Sequence, residues 1–217
     1  RRWMTAPPGP ISPSAATAEP VVLLTPPHPA RPRPPLPSIP MQNVEYKAEL
    51  RDLPLAKTIC GVISASWVST LAQTDTYYRV PDARLKRREC VGYEPEWIFY
   101  SRSARIQPKL SNFTIYSDAQ AQQRFGTTPL PVLCVIKKKR ELYMSRGGVR
   151  IHLDEVDGIG AFIEFEALVC PERNLAECHR QIDELKAAFK GALGEPIACG
   201  YADLLTIDAS GAPLRGE

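Results

Sequence analysis

Asn43-Val-Glu-Tyr-Lys-Ala-Glu-Leu50 decides the fold, because its charged and apolar residues alternate. Successive side chains of a strand point to opposite faces. Glu45, Lys47 and Glu49 therefore share one face, and Val44, Tyr46, Ala48 and Leu50 share the other. A single strand of this kind needs no more than a solvated outer face. The pattern recurs, however: Arg84, Lys86 and Arg88 share a face, as do Lys138 and Arg140, then Arg150, His152 and Asp154, then Glu164 and Glu166. If the apolar faces pack against helices, the charged faces line the inside of a curved or closed sheet. Burying both signs of charge is costly unless a ligand pairs them. Basic residues suit phosphate oxygens, and clustered carboxylates suit a hard cation such as Mg²⁺ or Mn²⁺. Both signs in one cavity point to a metal–polyphosphate ligand.

Working outward, strand-like alternation covers residues 43–51, 75–80, 84–89, 97–102, 132–140, 141–145, 149–156 and 162–169. Gly147-Gly148 reads as a hairpin turn, and Gly158 and Gly160 as the turn before the last strand. Three helices are expected. One begins near Leu53-Pro54 with Asp52 as N-cap, and a short one follows Ser117-Asp118. The third, over about 174–193, carries a stripe of Leu175, Cys178, Ile182, Leu185 and Phe189 and is ended by Gly194. Trp67, Trp97 and Phe165 are expected to pack between sheet and helices, and Lys137 and Lys139 to point outward. Many strands and few helices make an α+β domain dominated by antiparallel sheet.

The flanks are different in kind. Thirteen of the 22 prolines lie in residues 1–40, where a chain short of N–H donors can join neither sheet nor helix. A disordered or polyproline segment is expected there, a passive tail upstream of a start at Met41. Arg1, Arg2, Arg31 and Arg33 against Glu19 account for the whole net charge of +3. Residues 41–217 hold 23 charges of each sign, so no general attraction to nucleic acid or to a membrane surface is expected. No run approaches a membrane span, and Val21–Leu24 is too short for a signal-peptide core. The six cysteines form no C-x-x-C pair, which fits reduced thiols and a cytoplasmic location.

Taken in order, these stretches resemble the CYTH domain family of triphosphate tunnel metalloenzymes, named for class IV adenylyl cyclases and thiamine triphosphatases. Asn43-Val-Glu-Tyr-Lys resembles the opening E-x-E-x-K, and Arg84-Leu-Lys-Arg-Arg-Glu89 resembles an R-L-K-x-R-E strand. Val135-Ile-Lys-Lys-Lys-Arg-Glu-Leu-Tyr143 is similar to the K-x-R strand. Arg150-Ile-His-Leu-Asp-Glu-Val156 and Gly158-Ile-Gly-Ala-Phe-Ile-Glu-Phe-Glu166 are similar to the closing block. Gln73-Thr-Asp-Thr-Tyr-Tyr-Arg79 resembles the second strand, and Tyr201-Ala-Asp-Leu-Leu205 the C-terminal segment. The one departure is Asn43, whose oxygen can bind a cation but brings no charge where the family has an acid.

The resemblance implies an eight-stranded antiparallel β-barrel, open at both ends, with flanking helices over residues 41–205, and a tail over 206–217. It implies Lys47, Lys86, Arg88, Lys138, Arg140 and Arg150 on the triphosphate, with Arg102 approaching it. Glu45, Glu164, Glu166 and Asp154 would hold Mg²⁺ or Mn²⁺. Asp75, Tyr77 and His152 are the candidates for catalysis, although a lone histidine is more often structural. The implied partner is a small triphosphate: ATP, thiamine triphosphate or tripolyphosphate. The leading activity is conversion of ATP to cyclic AMP and pyrophosphate. The alternatives are hydrolysis of the terminal phosphate, or a nucleotide or polyphosphate sensor without turnover. Many such barrels pair, which leaves room for a homodimer.

Overall fold

A computed structural model describes residues 40–102 and 106–210, except the side chains of residue 102 and residues 207–210. The strands are β1 (Met41–Leu50), β2 (Ser66–Tyr78), β3 (Arg84–Cys90), β4 (Glu96–Arg102), β5 (Lys109–Tyr116), β6 (Val132–Met144), β7 (Arg150–Val156) and β8 (Gly160–Leu168). They pair antiparallel in the order β5-β4-β3-β2-β6-β7-β8-β1, and β1 pairs back onto β5 to close the barrel. Closure needs β1 to bond on both edges. Asn43–Glu49 face Leu168–Phe162 of β8, while Met41–Glu45 face Phe113–Lys109 of β5. Where β5 leaves, a short β9 (Leu193–Pro196) takes over that edge opposite Ala48 and Leu50.

The main core lies outside the barrel wall, as the inverted alternation requires. Val44, Tyr46 and Ala48 of β1, Ile151 and Leu153 of β7, and Ile163, Phe165 and Ala167 of β8 are buried together. Against them pack Ala56 and Cys60 of α1 (Leu53–Val62) and Cys178, Ile182 and Leu185 of α3 (Leu175–Ala188). The helices start where polar caps satisfy their first N–H groups. Asp52 accepts from the Leu55 N–H at 2.8 Å, and Asn174 from the Glu177 N–H at 2.9 Å. Ser117 and Gln120 form a reciprocal capping box on α2 (Asp118–Phe125). Phe165 lies 5.3 Å from Phe189, just past α3, with the rings tilted by 57°, and truncating so buried a ring costs about 3–5 kcal/mol.

Several elements differ from the sequence expectation. Val132–Met144 forms one long strand, paired along most of its length with an equally long β2, where two strands were expected. Strand β5 was not anticipated, so eight strands result from one extra and one merged. Gly194 does not end α3, which stops at Ala188. It lies in β9, where an added Cβ would come 2.7 Å from Glu49 Cβ, so the strand pairing itself requires glycine. Trp67 is 60% exposed, at a register shift near the start of β2, and is not a packing residue. Trp97 does join sheet to helix, donating to Asp118 of α2 at 2.6 Å, and Phe165 is buried as expected.

The C-terminal segment forms α4 (Tyr201–Ser210), which runs past the boundary expected at residue 205. Residues 211–217 and the proline-rich residues 1–39 lie outside the described residues. Among the described residues, no helix is long and apolar enough to cross a membrane.

Candidate functional site

The lumen is a cavity of about 580 Å³ lined by side chains of all eight barrel strands. One end is closed from the chain's own C-terminal region. Tyr201 is buried with Phe162, Val156, Ile136 and Tyr77. Its hydroxyl donates to Asp154 Oδ2 at 2.7 Å, and Lys47 Nζ sits 3.8 Å from its ring centre. Arg84 grips Asp203 of α4 at 2.5 and 2.7 Å, and Lys109 Nζ donates to the Ala198 carbonyl at 2.6 Å. The barrel expected to be open at both ends is therefore plugged at one.

Charge inside the lumen is segregated. On β2, Asp75 is fully buried and holds three cations. Arg88 donates to it at 2.7 and 2.9 Å, Lys86 at 3.0 Å and Lys138 at 2.6 Å. Register explains the convergence: Arg88 is the direct β3 partner of Asp75, and Lys138 pairs with Gln73 one lumen-facing step along β2. Burial would raise the Asp75 pKa, but Arg88, Lys86 and Lys138 outweigh it and hold the carboxyl well below its usual range. Burial, with the like charge of Arg88, lowers Lys86 to about 7 and Lys138 to about 8.

Facing these from β1, β6, β7 and β8 is a second group. Arg140 makes two bonds of 2.6 Å to Asp154 and one of 3.1 Å to Glu164. Glu164 also meets Lys47 at 3.4 Å and His152 at 3.4 Å. Burial opposes ionisation of Glu164, yet Lys47, His152 and Arg140 keep its pKa well below normal. Glu166 has looser contacts, 3.7 Å to Arg150 and 3.9 Å to His152. His152, Glu164 and Glu166 each place one ligand atom within 4.8 Å of the others. Glu45 is the cross-strand partner of Glu166, and Asn43 lies one lumen-facing step away on β1. The Asn43 Oδ1 is buried and has no hydrogen-bond partner among the described residues. An orphaned acceptor costs about 1–3 kcal/mol, and a hard cation or its water would satisfy it. An oxygen-rich set around one unsatisfied oxygen fits Mg²⁺ or Mn²⁺.

The structure thus brings Lys47, Lys86, Arg88, Lys138, Arg140, Arg150, Glu45, Tyr77, His152, Glu164 and Glu166 to one lumen, with Asp75 buried in its wall beneath Lys86, Arg88 and Lys138. Arg150 stands at the open end, its side chain 45% exposed. Asp154 sits apart from the His152–Glu166 group, its oxygens occupied by Arg140 and Tyr201. The Arg102 side chain lies outside the described residues. Glu49 is exposed beside β9, and Lys137 and Lys139 point outward as expected.

Sequence reasoning missed Tyr201, Lys109 and one entire wall. Ile98 on β4 and Phe113 and Ile115 on β5 also face the lumen. A search for recurring charges passes over apolar lumen residues. Tyr201 offered only its place in the C-terminal segment, which gives no sign that the helix folds back over the barrel.

The model of the CYTH domain matches residues 41–192. Among solved structures, a conserved hypothetical protein from Pyrococcus furiosus is 22% identical, with 75% of this chain and 99% of that chain covered and a TM-score of 0.60. A putative adenylate cyclase from Vibrio parahaemolyticus is 21% identical, with 76% and 97% covered and a TM-score of 0.60. A putative adenylyl cyclase from Hippeastrum, described as having a dominant triphosphatase activity, is 14% identical, with 80% and 97% covered and a TM-score of 0.51. At these identities the likeness is one of fold. No curated protein matches the sequence significantly. With the family model spanning most of the chain over a closed barrel of charged lumen, this chain belongs to the CYTH domain family.

Proposed function

We propose that this domain is a metal-assisted enzyme that processes a triphosphate in its lumen, with ATP to cyclic AMP and pyrophosphate as the leading reaction. The observation that carries this reading is the convergence of Lys86, Arg88 and Lys138 on Asp75, within 2.6–3.0 Å, across from the Glu164–Glu166 group. Three cations on one anion leave a local positive excess, which suits a polyphosphate. Mg²⁺ or Mn²⁺ on Glu45, Glu164 and Glu166, with Asn43 Oδ1, would supply neutralisation and polarisation of phosphate oxygens. Asp154 then orients Arg140 toward the phosphates.

In the leading reaction the ribose 3′-hydroxyl oxygen attacks the α-phosphorus and its proton passes to water, as the bond to the β-phosphate oxygen breaks and pyrophosphate leaves. The charge that develops on the departing pyrophosphate meets the cation cluster, which is already oriented and needs no rearrangement. A second reading is hydrolysis of the terminal phosphate, in which water takes the place of the ribose oxygen as nucleophile and the same cluster of Lys86, Arg88 and Lys138 would hold the phosphate.

The test offers ATP, thiamine triphosphate and tripolyphosphate separately to the full chain with Mg²⁺ or Mn²⁺, with products separated by chromatography. Cyclic AMP with pyrophosphate supports the leading reading. Orthophosphate supports the hydrolase and its preferred compound names the substrate. Binding with no product from any of them leaves a sensor.

A further inference from the structure

We infer that Tyr201, which lies beyond the stretch matched by the family model, is a positioning residue: α4 holds its hydroxyl against Asp154, and Asp154 in turn aims Arg140. The inference rests on the triphosphate reading above. Asp203, in the first turn of α4, accepts from the Gly200 N–H at 2.8 Å and so fixes where the helix starts. The same carboxylate takes Arg84 of β3, and the segment before the helix is tied down twice more. Lys109 of β5 donates to the Ala198 carbonyl at 2.6 Å, and the Ile197 N–H donates to the Lys47 carbonyl of β1 at 2.9 Å. Anchors on three strands thus set the position of Tyr201, the first residue of the helix.

Packing alone does not call for a hydroxyl there. The ring is buried with Phe162 5.1 Å away, and a phenylalanine would fill the same space. The hydroxyl instead adds a third bond to a carboxylate that Arg140 already meets twice, at 2.6 Å. Paired bonds from a guanidinium fix the plane the two groups share. The third bond, from a separate element, fixes where that plane lies in the barrel. Arg140 spends Nε and Nη2 on Asp154 and Glu164 and makes no bond from Nη1 among the described residues, so Nη1 is left to a ligand. The ring acts too. Lys47 Nζ lies 3.8 Å from its centre and 3.4 Å from Glu164, which holds the ammonium between them. Lys47 and Arg140 therefore both take their placement from a helix outside the barrel strands. At metal sites, residues that touch only the groups touching the ligand cost about 10–100-fold when changed.

The test measures, by calorimetry with Mg²⁺, how the full chain binds an uncleavable tripolyphosphate whose bridging oxygens are replaced by methylene. The urea midpoint of each variant is measured alongside. Tyr201→Phe keeps the ring and removes the bond. It is expected to weaken the probe on the order of tenfold under conditions where the variant is fully folded. In the Asp154→Asn chain, where the link is already broken, Tyr201→Phe should cost nothing further, a non-additivity that a merely structural tyrosine would not produce. Asp203→Asn provides a second variant should Tyr201→Phe fold poorly. It removes a negative charge, so electrostatics alone would tighten the probe, whereas loss of the anchor is expected to weaken it. Parental affinity in Tyr201→Phe with only a lower midpoint, losses that add in the double variant, or tighter binding in Asp203→Asn overturns the inference and leaves the triphosphate reading standing. If the probe does not bind the parent, the triphosphate reading fails and the inference with it.

Discussion

Across the lumen, Lys86, Arg88 and Lys138 crowd onto one carboxylate, while Ile98, Phe113 and Ile115 face the same cavity with no charge at all. The first wall is satisfied before any ligand arrives. Each cation there has a fixed acceptor, and the cost of desolvation has been met by pairing. The second wall is satisfied by nothing and gains only when something covers it. One barrel therefore combines a pre-aligned set of donors with a surface that has no hydrogen-bonding direction.

Asp75→Asn should have the largest effect on that contrast. It removes the buried anion shared by Lys138, which is buried, and by Lys86 and Arg88, which are part-buried, and breaking a buried pair from one side costs about 3–5 kcal/mol. Urea unfolding measures this, and a midpoint equal to the parent's would show that the cations find other partners. Next comes Glu166→Gln, expected to lower metal-dependent turnover on the order of 100-fold, as about 3 kcal/mol of lost charge stabilisation would. Glu166 is a cleaner target than Glu164, which is also bonded to Arg140. Full activity in Glu166→Gln would remove it from the cation site. Arg88→Ala should weaken tripolyphosphate binding by about 1.5–3 kcal/mol, the worth of a charged hydrogen bond. Calorimetry showing parental affinity would sink its assignment.

Titration gives a smaller effect with a distinctive sign. Lys86 near 7 and Lys138 near 8 lie below the unfolded lysine value, so the unfolded chain holds more protons above those points. Stability of the ligand-free protein should therefore rise as pH passes about 7 and then about 8. Triphosphate affinity should fall over the same window, as ammonium groups are lost, by up to about tenfold per pH unit for each lysine. Parallel trends in both measurements would show that these lysines do not meet the phosphates. The smallest effect is expected for Lys139→Ala. Its ammonium lies on the outer face, 3.1 Å from an exposed Glu155, and surface pairs contribute little. A marked loss of binding there would break the inside–outside assignment of β6.

The charged wall was legible in the sequence because alternation of charge is a local, period-two signal. Glu45 with Lys47, Lys86 with Arg88, and Glu164 with Glu166 each announce a shared face within three residues. The cap residues Asp52, Ser117 and Asn174 were equally local. What escaped depends on contacts between distant segments. Lys109-Leu-Ser-Asn-Phe-Thr-Ile-Tyr116 mixes polar and apolar residues on both faces, so β5 has no clear period of its own. It is a strand because β4 and β1 bracket it. Residues 132–145 read as two strands because a run of charges interrupts the apolar pattern, whereas the ladder to β2 carries the strand across. Gly194 looks like a helix terminator, and only the proximity of Glu49 Cβ shows why a side chain is excluded there.

The sequence alone determined the faces of the charged strands: which of their side chains turn together, and hence that charge would lie within the barrel and apolar residues outside it. Periodicity is a property of the backbone and needs no partner. Tertiary structure alone decided which faces meet. It brought Lys138 from 63 residues away onto Asp75, set Tyr201 on Asp154, and placed the uncharged wall beside the cations, with Ile98 next to Lys86. Those relations follow from strand order and register, which arise from the packing of the whole chain and leave no mark on any short stretch of it.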